Sequence, residues 1–406
     1  MASGPTPVGV GFLPDRYANP DLKWEETKAN NVGLNLGLFK NRFEIELDYY
    51  VRNTDNLLMI NPLPDYMGAG GMGAVGAPMV NIGALTNKGW DISLNSTNIS
   101  TKNFKWNSTL NLSHFKTKIK KFYSERASIT RISWWLDNWA QRSIVGQSPW
   151  LFRGYIEDGL FQSLDEINNS AVPVDNNGNR LPTEQANGVW VGDVKYRDIS
   201  GPEGVPDGKI TVDDETYIGN PWPKLFGGFT NSLSYKGFEL SAVITGSYGN
   251  DVYNYVARVN SNPNNINLSR NLLTHTMNYA RPVTVDGQTR LENPGTDVAR
   301  ISYGPNANYS RITNKWVEDG SYLRLKNVSL TYNLPQSLLT GQKVVRGARI
   351  TVGIQNAWTI TGYSGYDPEV GANIGRNVSS DNQSVGLDAG RYPLTTVYTF
   401  SLGFDF

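Results

Sequence analysis

Cysteine is absent from the 406 residues, so neither disulfides nor thiolate metal sites are available. Histidine is scarce. Only His114 and His275 occur, far apart, which leaves little material for a zinc site or a histidine base. An excess of one charge is also missing. Lys plus Arg total 37 and Asp plus Glu total 37, so no bulk field draws the chain to nucleic acid. No run approaches the roughly 18 apolar residues of a membrane helix. The longest is short, near Leu57-Leu58-Met59-Ile60. The opening residues Met1-Ala2-Ser3-Gly4-Pro5 have neither a basic nor an apolar leader region, so no signal peptide is expected there. No nucleophile elbow, P-loop or dinucleotide fingerprint occurs, and no enzymatic activity is expected. Gly68-Ala69-Gly70-Gly71-Met72-Gly73 lacks the flanking strand and helix of a phosphate loop and is expected to form a loop tip.

Aromatic residues, by contrast, are plentiful, with 21 Tyr and 11 Trp. Tyr and Trp suit an interfacial belt or a sugar-stacking surface, and Trp134-Trp135 fits either. The most informative stretch is the last. Tyr398, Phe400, Leu402, Phe404 and Phe406 alternate with Thr399, Ser401, Gly403 and Asp405. Period-two alternation makes one face of a strand apolar and the other polar. In a membrane barrel the apolar face meets lipid and the polar face the lumen. The same pattern recurs at Phe43–Val51, Trp90–Leu94, Phe104–Leu112, Phe238–Ile244, Val328–Tyr332 and Ile350–Ile354. Glu44, Glu46 and Asp48 fill one face of their strand, and facing lipid would cost about 2 kcal/mol or more each. They are therefore assigned to the lumen.

Tight turns are expected at Asn41 and at Lys236-Gly237. The remaining connections are long, at 53–80, 116–224, 249–320 and 359–391. Counting strand directions back from the C-terminus puts every long connection on one side, as in outer-membrane barrels. About nine to eleven wall strands follow from this count. The 116–224 region is assigned as a large extracellular loop region with a local hairpin near Trp150–Tyr155 and Trp190–Tyr196. Loops of such length commonly bind something or pack on a partner.

One constellation in that region could hold a metal. Asp198-Ile199-Ser200 is followed, after an insertion, by Asp207-Gly208-Lys209-Ile210 and then Asp214. Hard oxygen donors, a turn glycine and an apolar anchor resemble an EF-hand-like calcium loop. The candidate calcium residues are Asp198, Ser200, Asp207, Lys209 and Asp214; an acidic solvated turn is the other reading.

Several stretches together resemble the SusC/RagA family of TonB-dependent outer-membrane transporters. They are Asn19–Glu25, Asn87–Trp90, Gly192–Tyr196, Ile218–Pro221 with Pro223-Lys224, Gly246–Asp251, Glu318–Asn327 and Gly362–Glu369, in family order across nearly the whole chain. The family's acidic loop usually reads Asp-x-Asn-Gly-Asp-Gly, from which Ser200 and the insertion depart. The resemblance implies an all-β fold: the C-terminal portion of an antiparallel transmembrane β-barrel of about 22 strands, with a plugged lumen. All of 1–406 then falls in the barrel, without signal peptide, plug or first strands. It further implies an outer-membrane location, glycan or peptide import, a SusD-like surface lipoprotein and the TonB complex reached through the N-terminal part. A SusC-like scaffold without import and a soluble sugar-binding sandwich are the alternatives.

Overall fold

The computed structural model describes residues 16–60, 76, 78–122, 128–130, 140–268, 270–303, 308–339, 344–373 and 384–406. The glycine-rich stretch 68–73 and Trp134-Trp135 lie outside the described residues.

A nine-stranded antiparallel sheet forms the wall. Its strands are β1 (Glu26–Leu38), β2 (Phe43–Ile60), β3 (Met79–Ser100), β4 (Phe104–Lys121) and β5 (Leu225–Tyr235). They continue with β6 (Phe238–Tyr248), β7 (Tyr322–Asn333), β8 (Gly347–Thr361) and β9 (Val397–Asp405). Each strand pairs with the next in sequence, so the wall is a simple up-and-down meander. Connections alternate strictly. Four short ones, 39–42, 101–103, 236–237 and 334–346, lie at one end, and four long ones, 61–78, 122–224, 249–321 and 362–396, at the other.

Turn chemistry fits the short end. Lys236 (φ 46°) and Gly237 (φ 90°) are both left-handed, the geometry of a two-residue hairpin turn. Phe39, Lys40 and Asn41 all take positive φ in the 39–42 turn.

The wall strands run further than alternation alone suggests. β2 continues to Ile60, β4 to Lys121 and β8 to Thr361, while β9 starts at Val397. Their distal ends carry polar side chains such as Lys116, Lys118 and Lys120, which hide a strand from a hydrophobic pattern. The expected hairpin is corrected as well. Leu151–Gly154 pairs with Thr216–Gly219, while Val194–Tyr196 pairs with Glu157–Leu160. The rings of Tyr155 and Tyr196, 5.7 Å apart, still bring the two expected stretches together within one apolar cluster.

The long connections fold into a canopy of small sheets, short helices and loops over one end of the wall. Most of the buried apolar side chains are here. One cluster holds Phe161, Ile167, Val172, Val189, Val191, Val194, Tyr196 and Ile210; a second holds Phe152, Tyr253, Ile312, Trp316 and Leu387. Canopy and wall meet where Phe122 and Ile119 pack against Leu85 and Val145.

Candidate functional site

Cross-strand register decides which face of the wall each side chain occupies. One row runs Leu36, Ile45, Leu94, Leu110, Phe229, Ile244, Leu325 and Trp358, apolar across β1 to β8. The adjacent row, on the opposite face, runs Asn35, Glu46, Ser93, Asn111, Gly228, Thr245, Arg324 and Thr359. Pairing neighbours of like character over this width makes the sheet a partition between lipid and water. Glu44, Glu46 and Asp48 lie on the polar face together with Asp91, which stands opposite Asp48. Above them Tyr50 lies across Gly89, where an added Cβ would stand 2.5 Å from its hydroxyl. The Arg52 guanidinium lies 4.6 Å over the Tyr50 ring.

The canopy is anchored by buried charges. Asp193 is fully buried and accepts from Arg300 Nε (2.6 Å), Arg300 Nη2 (3.0 Å), Asn308 Nδ2 (2.9 Å) and the Trp190 amide (2.8 Å). It thereby ties the second long connection to the third. Gly192 beside it takes φ 90° against Ala280, Arg300 and Leu291. Arg324, on the polar face of β7, donates to Asp367 (2.7 Å), Glu369 (3.0 Å) and Thr359 (2.9 Å), so the last long connection is held onto the wall. Burial alone would raise the Asp367 carboxyl, but the Glu369 amide and the Arg324 guanidinium hold it below its usual range. Glu318 accepts from Asn254 Nδ2 and from the amide and hydroxyl of Ser364, each at 2.8 Å. Burial pushes Glu157 upward, and Thr313 donates to it at 2.5 Å.

The expected calcium residues occupy one loop of the canopy. Asp214, fully buried, accepts from the amides of Ile199 (2.9 Å), Ser200 (3.2 Å) and Thr211 (2.8 Å). Asp198 Oδ2 accepts from Gly208 N (2.7 Å) and Asp207 Oδ1 from Lys209 N (3.0 Å). The Ser200 hydroxyl faces the Gly201 carbonyl, and the Lys209 ammonium reaches Gly178 O at 3.1 Å. Asp198 Oδ1 is buried with no hydrogen-bond partner among the described residues. Among the described residues no three His, Cys, Asp or Glu side chains gather as a metal set. The donor set therefore closes a loop on its own amides, with Asp198 Oδ1 and Asp207 Oδ2 left over among the described residues.

A groove of about 650 Å3 opens where β4, β5 and β6 give way to the canopy, between Lys116, Lys224, Tyr217, Tyr248, Asn220 and Asp251. Asp251 accepts from the Asn220 amide at 2.7 Å, and burial followed by nearby Asp319 raises its carboxyl. The buried Tyr217 hydroxyl has no hydrogen-bond partner among the described residues.

A family model described as TonB dependent receptor-like, beta-barrel matches residues 2–357. The chain belongs to this family. Among curated relatives, TonB-dependent receptor P3 of Formosa agariphila is 33% identical over 399 residues, covering 98% of this chain and 36% of that protein. TonB-dependent receptor SusC of Bacteroides thetaiotaomicron is 25% identical, covering 96% and 32%. A solved structure of the RagAB peptide transporter superposes with a TM-score of 0.70 at 25% identity, over 96% of this chain and 36% of that one. The chain thus spans about a third of the length of the curated relatives it matches. It is an outer-membrane β-barrel segment of SusC/RagA type.

Several stretches that carried the resemblance prove to be the canopy's anchors. Asp193, Glu318, Arg324, Asp367 and Glu369 fall within them. Their partners Arg300 and Asn308 went unread, since each lies more than 100 residues from Asp193 in sequence.

Proposed function

We propose that this chain supplies part of the wall and external canopy of a TonB-dependent importer that takes up oligosaccharides or peptides. The reading is carried by the sheet's two faces, one apolar across eight strands and one polar in the adjacent row. One further point supports it. Among the described residues β1 and β9 each pair on one side only, and unpaired amides in hydrocarbon cost several kcal/mol each. Closing the barrel therefore calls for further strands, consistent with relatives about three times as long.

In this reading a SusD-like surface lipoprotein docks on the canopy, and the TonB complex acts through a part of the protein outside this segment. The barrel and canopy perform no chemistry on the cargo. The test is an in-frame deletion in the producing organism, followed by uptake of labelled oligosaccharide and peptide mixtures. Loss of uptake of one class, restored by the gene, is expected. Normal uptake of every mixture by the deletion strain would sink the importer reading and favour a scaffold.

A further inference from the structure

The lipid-facing side of β3 and β4 changes character abruptly near the long-connection end. Trp90 stands opposite His114 there, their rings 5.8 Å apart. On the next rung outward Lys88 stands directly opposite Lys116, and on the one after it Thr86 stands opposite Lys118. Lys120 follows on the same face, and all four lysines are exposed. Lys28, on β1, completes the second rung through Asn53.

Height places these rungs. From Phe104 to His114 is ten residues; at about 3.4 Å each, tilted about 40°, that is roughly 26 Å. This matches the apolar band of an outer-membrane barrel, about 25 Å tall. Lys116 therefore sits one rung beyond the hydrocarbon, at headgroup level, with Tyr49 and Trp90 at the boundary as interfacial anchors.

The cations lack carboxylate partners among the described residues. None of the four lysines takes part in an ion pair among the described residues. Like charges directly opposite across a ladder are destabilising unless something neutralises them. Glu44, Glu46, Asp48 and Asp91 lie on the other face. Asp251 and Asp319 border the adjoining groove, which shares Lys116, but they accept from the Asn220 amide and the Ser321 hydroxyl. Glu26 and Asp55, paired on β1 and β2, stand one rung further from the membrane than Lys28. The lysines line a groove of about 520 Å3 with Tyr49, Thr86, Trp90 and His114.

We infer that this groove binds the phosphate of an anionic lipid headgroup in the leaflet on the long-connection side. The ammonium groups take the phosphate, while the indole and phenol rings seat the upper acyl chain. The inference rests on the membrane-wall reading. It adds a fixed lipid to the outer surface, beside a wall that is polar within.

The test uses the native protein that carries this segment, purified from outer membranes in mild detergent. Bound phospholipid and phosphorylated glycolipid are counted by native mass spectrometry. The wild type is compared with K88Q/K116Q/K118Q/K120Q and with a control, K102Q/K236Q, at the opposite end of the wall. At about fivefold in affinity per lysine, the quadruple variant should bind roughly six-hundredfold more weakly. It should lose its lipid while the control keeps it.

Equal retention in all three proteins would overturn the proposal. So would displacement of the wild-type lipid by millimolar inorganic phosphate, which would make the site one for a free anion. If the quadruple variant fails to assemble, K116Q/K118Q and a sodium chloride titration of the wild type give the same reading: retention insensitive to salt also overturns it. Failure of the membrane-wall reading looks different, because the protein would then be missing from the outer-membrane fraction.

Discussion

In the wall, Leu110 and Phe229 face each other across a ladder, Phe229 exposed and Leu110 half-buried, with no core to seal either. In the canopy, Phe161 and Val191 are sealed, at 1% and 0% exposure. Each region satisfies its backbone in its own way. The wall satisfies its amides through a regular ladder and leaves its apolar side chains for lipid. The canopy has little regular ladder and relies on a soluble-type core with buried ion pairs. One chain thus uses the bilayer as solvent in one half and excludes all solvent in the other. The lesson is that damage should stay local. Changes in the canopy ought to loosen the loops without unmaking the barrel, and changes on the lipid face ought to do the reverse.

The largest effect is expected at Asp193. In R300M its carboxylate stays buried with its bidentate partner gone, which costs about 3–5 kcal/mol. Limited proteolysis of the whole protein should then cut within 140–316 while the barrel keeps its heat-modifiable gel mobility. A variant as resistant as wild type would mean that the canopy is held by its apolar clusters alone. On the wall the contrast is between neighbours. L110R puts a charge into lipid and should cost about 2–4 kcal/mol. N111R, one residue along and facing the lumen, should stay within about 0.5 kcal/mol. Assembly yields in the outer membrane, or refolding into vesicles, separate the two. Equal effects would undo the assignment of faces.

That assignment was legible in the sequence because a strand's period of two maps directly onto lipid and lumen. Lys236-Gly237 was legible for a similar reason, since a two-residue turn between aromatic strand ends leaves little choice of geometry. Two kinds of feature were not. Reading on from Val328 would put Lys326 toward lipid and Leu325 inward. A bulge between Leu325 and Asn327 flips the register, sending Leu325 outward and Arg324 toward Asp367. Canopy contacts are the other kind. Asp193, Arg300 and Asn308 meet across more than 100 residues of chain, and no local period records that meeting. The expected hairpin failed for the same reason, as Leu151–Gly154 found its partner at Thr216–Gly219.

The seam between the regions comes next in size. D367N removes the charge that Arg324 holds and should cost about 1.5–3 kcal/mol, detaching the last long connection from β7. The sign with pH follows. The Asp367 carboxyl is depressed in the fold, so its contribution is full above the usual carboxylate range. It is lost as pH falls through that range toward the depressed value. Wild-type protease resistance of 362–396 should therefore collapse in acid, whereas D367N should be weakened already at neutral pH and change less. A smaller effect is expected at the short end. G237A places a Cβ at φ 90°, 2.9 Å from Asn333 O, and should cost about 1–2 kcal/mol, read as slower barrel assembly with an unchanged canopy.

Calcium should do least, and it tests the comparison on the canopy side. A divalent ion stabilises a fold only by binding it better than the unfolded chain does. Here Asp214 already accepts three backbone amides, and Asp198 and Asp207 one each. An ion at this loop would have to displace those bonds or make do with Asp198 Oδ1 and Asp207 Oδ2. Millimolar calcium should therefore shift canopy melting by less than about 1 °C, and a chelator should leave protease resistance unchanged. A shift of several degrees, abolished by D198N, would show that the loop rearranges around a metal. It would also make the canopy the metal-dependent half of a chain whose other half depends on lipid.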